Sequence, residues 1–211
     1  MKRRPAGFIC SCLLGFVLCA CARNSPVTDF YLLNADPESL THHNPAASTP
    51  WVIGLGPVHI PEYLNRPQMV YEVSANQFRL DEQHRWAERL DQNILRALML
   101  SLSAQLQYAR MIPHPWSSRE KIDFKIAIEI LEFHRDAGGS ARLTAQWTLS
   151  RTNQAPASRW FECKRPVPDS DFRAFVQSQS ECLAELSTQI AAALRDGMKR
   201  AESPGAHMKD P

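Results

Sequence analysis

Residues 121–130 alternate Ile122, Phe124, Ile126, Ile128 and Ile130 with Lys121, Asp123, Lys125 and Glu129. A helix cannot gather a period of two onto one face, so this segment is a strand with one side buried and the other wet. Gly138-Gly139 supplies a turn, after which Leu143, Ala145, Trp147 and Leu149 alternate with Arg142, Thr144, Gln146 and Thr148. The result is a long antiparallel hairpin whose apolar face needs a second layer. Two helices can provide it. Leu90, Ile94, Leu98, Leu102 and Leu106, flanked by Leu95 and Met99, form a helical stripe within residues 88–109. Phe172, Phe175, Val176, Leu183, Leu186, Ile190 and Leu194 form another within residues 169–200, with Asp169, Ser170 or Asp171 available to cap its start.

Shorter strands complete the sheet. Phe30-Tyr31-Leu32-Leu33 is a short apolar strand. Residues 51–60 make a longer one interrupted by Gly54 and Gly56, where Pro57 points to an edge or a bulge. Met69, Val70 and Val73 lead to a turn at Asn76 and a short return through Phe78 and Leu80. Residues 160–164 add a third strand to the meander after a loop at 153–158. Trp86, next to the first helical stripe, reads as a core or helix-entry residue. The expected fold is therefore α+β: a two-layer sandwich of a mostly antiparallel sheet with two long amphipathic helices, in one domain over residues 30–200. Residues 34–50 read as a long surface loop containing His42 and His43, and residues 201–211 as a disordered tail.

The amino terminus has a different character. Lys2, Arg3 and Arg4 precede an apolar run that ends at Ala22, short of the roughly 20 residues needed to span a bilayer. Residues 1–20 read as a signal peptide. Leu18, Cys19 and Ala20 before Cys21 resemble the bacterial lipobox, making Cys21 the expected lipidation site and residues 21–29 a lipidated tether. Two or three acyl chains would hold the protein durably on a membrane. Ala22, where Asp would favour inner-membrane retention in similar lipoproteins, implies an outer-membrane destination facing the periplasm.

Charge limits the partners. The chain has 24 Lys and Arg against 22 Asp and Glu, and losing Lys2, Arg3 and Arg4 leaves 21 basic against 22 acidic side chains. A near-neutral domain lacks the concentrated positive field of a nucleic-acid binder. Only Cys163 and Cys182 remain in the folded part. An oxidising periplasm permits them to pair, and two buried free thiols fit the same spacing. Neither forms a zinc site, because no histidine lies at ligand spacing.

No chemical constellation emerges. The sequence lacks GxSxG, GxxxxGK[ST], HExxH and CxxC patterns. Gly54-Leu55-Gly56 leads into Pro57 without the third glycine of a dinucleotide site. His59, His84, His114 and His134 are scattered singly and read as surface or satisfied residues. Glu62, Asp81, Glu82 and Asp91 read as a solvated face. No enzyme activity, metal or cofactor is expected.

Residues 53–90 carry a resemblance. Gly54-Leu55-Gly56-Pro57-Val58, Ile60-Pro61-Glu62-Tyr63-Leu64-Asn65-Arg66-Pro67-Gln68-Met69-Val70, Asn76-Gln77 and Arg85-Trp86-Ala87-Glu88-Arg89-Leu90 are similar to the PqiC/YmbA-type lipoproteins, the ABC-type transport auxiliary lipoproteins. The likeness extends more loosely through the 121–149 hairpin, and Arg89 departs from it where the family usually shows Pro. The resemblance implies a noncatalytic, homo-oligomeric outer-membrane component of an MCE-type intermembrane lipid transport system. It would dock a periplasm-spanning MCE-domain protein that also meets an inner-membrane permease-like protein. A role as an outer-membrane assembly or pilot lipoprotein for another complex is the alternative. Tyr63, Leu64, Arg66, Pro67, Gln68 and Met69 are the expected partner or oligomer contacts. Anchoring residue types meet flanking prolines there, which limit the entropy lost on docking.

Overall fold

The computed structural model describes residues 27–34, 51–106, 109–168 and 171–202. Cys21, the signal peptide, most of the tether, the 35–50 segment with His42 and His43, and residues 203–211 lie outside them. In chain order the strands are β1 (Asp29–Tyr31), β2 (Trp51–His59), β3 (Gln68–Ser74), β4 (Gln77–Trp86), β5 (Ala109–Pro113), β6 (Phe124–Arg135), β7 (Ser140–Arg151) and β8 (Ala157–Pro166). Helix α1 (Leu90–Gln105) lies between β4 and β5, and helix α2 (Phe172–Glu202) follows β8. No helix among the described residues is long and apolar enough to cross a membrane.

The α+β class and the two-layer arrangement agree with the sequence reading. β6 is the spine. It pairs antiparallel with β7 from Phe124↔Arg151 to Arg135↔Ala141, and β7 pairs antiparallel with β8. Its other edge is shared by two strands in succession. β2 runs parallel to the first half of β6, with a register shift between Leu55 and Val58 that brackets Pro57, and β3 meets β6 only at Tyr71↔Arg135. The sheet thus forks, with β5 beyond β2 and the β4–β1 pair beyond β3. Its long ladders are antiparallel, while β1, β2 and β5 add parallel pairs that residue patterns alone did not suggest.

Phe124, Ile126, Ile128 and Ile130 of β6 and Leu143, Ala145 and Trp147 of β7 are buried in one core with the helices. α2 contributes Phe175, Leu183, Leu186, Ile190 and Leu194 to that core and closes most tightly at Gly197, where an added Cβ would stand 3.0 Å from the Phe124 ring. Polar stitches fix the helices. Trp147 donates to Gln189 at 3.1 Å, Gln105 to Ser187 at 2.8 Å, and Arg195 to the Gln105 carbonyl at 2.9 Å, satisfying an otherwise orphaned helix-end acceptor. Asp171 caps α2 by accepting from the Arg173 and Ala174 amides. Arg89, preceding α1, has φ −56° and ψ 132°, a φ that a proline ring would also adopt. The entry to α1 therefore keeps a geometry a proline could take.

Several boundaries differ from expectation. α1 ends at Gln105, and residue 109, assigned to the helix from sequence, begins β5. β4 is ten residues long rather than a short return. The tether reading also overlaps β1 by one residue, Asp29.

Cys163 of β8 and Cys182 of α2 are joined as a disulfide, with Cα atoms 5.7 Å apart. It ties the last strand to the helix covering it across 19 positions of sequence. A loop of that size restrains the unfolded chain by about 3 kcal/mol in the chain-entropy account. Replacing both cysteines by serine should lower unfolding free energy by about that amount in urea titration. An unchanged midpoint would show that the crosslink contributes nothing.

Candidate functional site

The segment between β2 and β3 turns through a 3-10 helix (Glu62–Leu64) begun by Pro61 and closed by Leu64 N–H to Pro61 O at 2.9 Å. Pro67 then accepts from the Trp86 amide at 2.7 Å, seating the segment beside the end of β4. Two of the expected contacts are not surface residues. Leu64 is 2% exposed and Met69 0%, both in the hydrophobic core, so neither is available to a partner. Interface anchors and core fillers are the same residue types, and here the core took them. Arg66 and Pro67 are exposed, Gln68 is half-buried, and Tyr63 shows part of its ring. Among the described residues no carboxylate pairs with Arg66. The Gln68 amide donates to Glu82 at 3.3 Å, and Glu82 also holds Arg85 at 2.7 Å.

Beneath this segment lies a cluster that no spacing rule brought together. Tyr63 stacks at a tilt on Phe78 with centroids 5.2 Å apart, and Phe78 meets His134 edge-on at 5.1 Å. His134 is buried. Its Nδ1 lies 3.4 Å from the Tyr63 hydroxyl, and its Nε2 lies 3.9 Å from Glu72. Glu132, two residues earlier in β6, pairs with Arg142 at 2.7 Å and accepts from Thr144. Burial, with Glu132 and Glu72 close by, pushes the Tyr63 phenol up to about 12, so it keeps its proton beside Nδ1. Burial also pushes the His134 pKa below the ordinary imidazole value, outweighing the two carboxylates. The cluster is a polar and aromatic knot binding the 3-10 turn, the β3–β4 hairpin and β6.

The other singled-out groups do not converge. His84 accompanies Asp81 at 2.8 Å and stacks on Phe172 at 3.9 Å, and His114 packs edge-on against Trp116, which covers Gly54. Asp91 pairs with Arg89 at 2.9 Å. Among the described residues no three His, Cys, Asp or Glu side chains gather as a metal site. Trp86 is buried against Phe133 and Phe175, as read from sequence.

Asn93 was not anticipated at all. Wholly buried on α1, it accepts from the Leu33 amide at 2.8 Å and donates to Glu88 at 2.8 Å, so the segment just after β1 is fastened to the first helix. A lone Asn in an apolar stripe is its only sequence signal.

A model of the ABC-type transport auxiliary lipoprotein components matches residues 31–191. No curated protein sequence matches the chain. Among solved structures, an uncharacterized protein is similar at 21% identity and TM-score 0.66, covering 80% of this chain and 99% of its own. Protein XCC0632 from Xanthomonas campestris, of family DUF330, is similar at 18% identity and TM-score 0.62, covering 82% and 99%. These two likenesses show the fold.

The knot has a pH signature. The unfolded imidazole titrates near 6.5 and the folded one lower, so protons load the unfolded chain first as pH falls. Stability should therefore be full above pH about 6.5 and decline on acidification through that value toward the folded pKa. His134→Gln should flatten the dependence of the urea midpoint between pH 7.5 and 5.5. An identical slope in the variant would remove His134 as its source.

Proposed function

We propose, from the premise that this chain belongs to the ABC-type transport auxiliary lipoprotein components, that it is the outer-membrane lipoprotein of an MCE-type intermembrane lipid transport system. Acyl groups on Cys21 hold it at the membrane. It works as a homo-oligomer and receives the end of a periplasm-spanning MCE-domain protein, whose other end meets an inner-membrane permease-like protein.

Family membership is the observation that carries this reading, and two others support it. Ala22 after Cys21 is compatible with export to the outer membrane. Buried polar groups such as Asn93 and Ser187 bond within the domain and tie its elements together, as suits a domain that holds a partner.

The contact surface is Arg66, Pro67 and Gln68 with the exposed edge of Tyr63. The 3-10 turn and the Pro67 carbonyl bond fix its backbone in advance, so docking orders little. Exposed Arg66 extends from it without a carboxylate partner among the described residues, a residue type common at interface hot spots.

Arg66→Glu should lower co-purification of the MCE-domain protein several-fold from detergent-extracted membranes while leaving the unfolding midpoint unchanged. Undiminished recovery would remove this surface, and no MCE-domain protein with the wild type would remove the transport assignment. Cys21→Ala should move the protein from the membrane to the soluble periplasmic fraction. Persistent membrane fractionation would show that lipid is not the anchor.

A further inference from the structure

The direction in which the chain enters the domain bears on how it sits on a membrane. β1 runs parallel to β4, with Asp29 opposite His84 and Tyr31 opposite Trp86. The parallel pairing therefore aims the upstream end of β1, at Val27 and Thr28, toward the earlier residues of β4, Leu80 and Phe78, and the β3–β4 turn at Ala75 and Asn76. β3 and β6 are parallel where they meet, so the β6–β7 turn at Ala137 and Gly138 lies at this same end of the sheet. The Ala137 amide donates to Glu72 at 3.3 Å, joining the two turns.

Lengths agree with direction. From Cys21 to Asp29 the chain spans at most about 28 Å whatever its conformation. From His84 back to the β3–β4 turn is roughly 25 Å of strand. A tether this short keeps Asp29 within about 28 Å of the surface that carries the acyl groups, a reach that brings the turn to that surface when the tether continues the line of β1.

That end has the side chains for such a place. Val73, Phe78 and Leu80 flank the turn and are 37%, 42% and 42% exposed, and Val27, upstream of β1 on the same side, is 82% exposed. Single exposed apolar residues are ordinary on a soluble protein, but these share one end of the sheet. The two acids at the turns, Glu72 and Asp136, are engaged. Glu72 faces His134 and the Ala137 amide, and Asp136 is held below the usual carboxylate range because Lys164 at 2.6 Å and the Ser140 amide outweigh its burial. Exposed Arg79 is left to face lipid phosphates.

We propose that the β3–β4 hairpin tip, with Val73, Phe78 and Leu80, is a second membrane contact that rests on the phospholipid surface beside the lipid anchor. It fixes the domain's orientation, directing the end of the sheet where β6 begins away from the bilayer. The inference rests on the reading of Cys21 as lipidated.

The test uses the full mature lipoprotein in vesicles of phosphatidylethanolamine and phosphatidylglycerol. Photoreactive benzoylphenylalanine replaces Phe78, Leu80 or, as a control at the opposite end of β6, Ser118. Phospholipid adducts after irradiation should be several-fold more abundant from positions 78 and 80 than from 118. Position 80 stands as an independent probe because Leu80 lacks the ring contacts that Phe78 makes with Tyr63 and His134. Equal yields at the three positions, or adducts to protein in place of lipid at 78 and 80, would overturn the proposal. Intact mass of the same samples separates the two ideas. Acylated Cys21 without hairpin adducts defeats the second contact alone, whereas unmodified Cys21 defeats the anchor and the inference with it.

Discussion

The ribbon formed by β1, β4 and β3 meets the rest of the sheet through one paired backbone position, Tyr71 opposite Arg135. One such pair cannot hold three strands, so their attachment depends on side chains. Two aromatic clusters provide it. In the core with the helices, Trp86 packs against Phe133 and Phe175. On the far side of β6, His134, the residue after Phe133, meets Phe78 and Tyr63. Successive residues of one strand thus grip the ribbon from both faces, as the pleat of a strand dictates. Asn93 adds a third fastening by holding the Leu33 amide to α1.

This explains which parts of the fold the sequence disclosed. β6 and β7 were readable because one face is buried and the other wet, so Ile126, Ile128 and Ile130 alternate with residues water accepts. α2 was readable for the same reason at a period near 3.6. β4 was not, because most of its positions are exposed and Gln77 to Trp86 alternates poorly. β5 was hidden at the end of a helical stripe: Leu106 keeps the period of α1, yet the helix has already ended at Gln105. The knot around His134 escaped because Tyr63, Glu72, Phe78 and His134 come from three segments whose meeting depends on where β3 joins β6. Leu64 and Met69 were assigned to the surface because extended, proline-flanked chain reads as exposed, whereas the 3-10 turn rotates Leu64 inward and β3 buries Met69.

The same organisation bears on function. A transport-associated lipoprotein must transmit attachment at its amino terminus to whatever it holds elsewhere. Here Leu33, just after β1, is bonded to α1 through Asn93, and the ribbon is clamped to β6, whose hairpin carries β8 and the disulfide to α2. The segment with Arg66 is bonded at Pro67 to the last residue of β4. The chain's entry into the domain and the proposed contact segment therefore belong to one packed unit among the described residues. Trp86 occupies the centre of that unit, since its ring faces Phe133 and Phe175 and its amide holds Pro67.

Native-state hydrogen exchange of wild type and Trp86→Leu tests this most directly, because it reports the opening free energy strand by strand. If side-chain clusters attach the ribbon, the variant should lose protection selectively at Val70, Tyr71 and Arg79 while Ile128 of β6 and Leu143 of β7 keep theirs. Uniform loss across all strands, or unchanged protection in β3 and β4, would contradict the account.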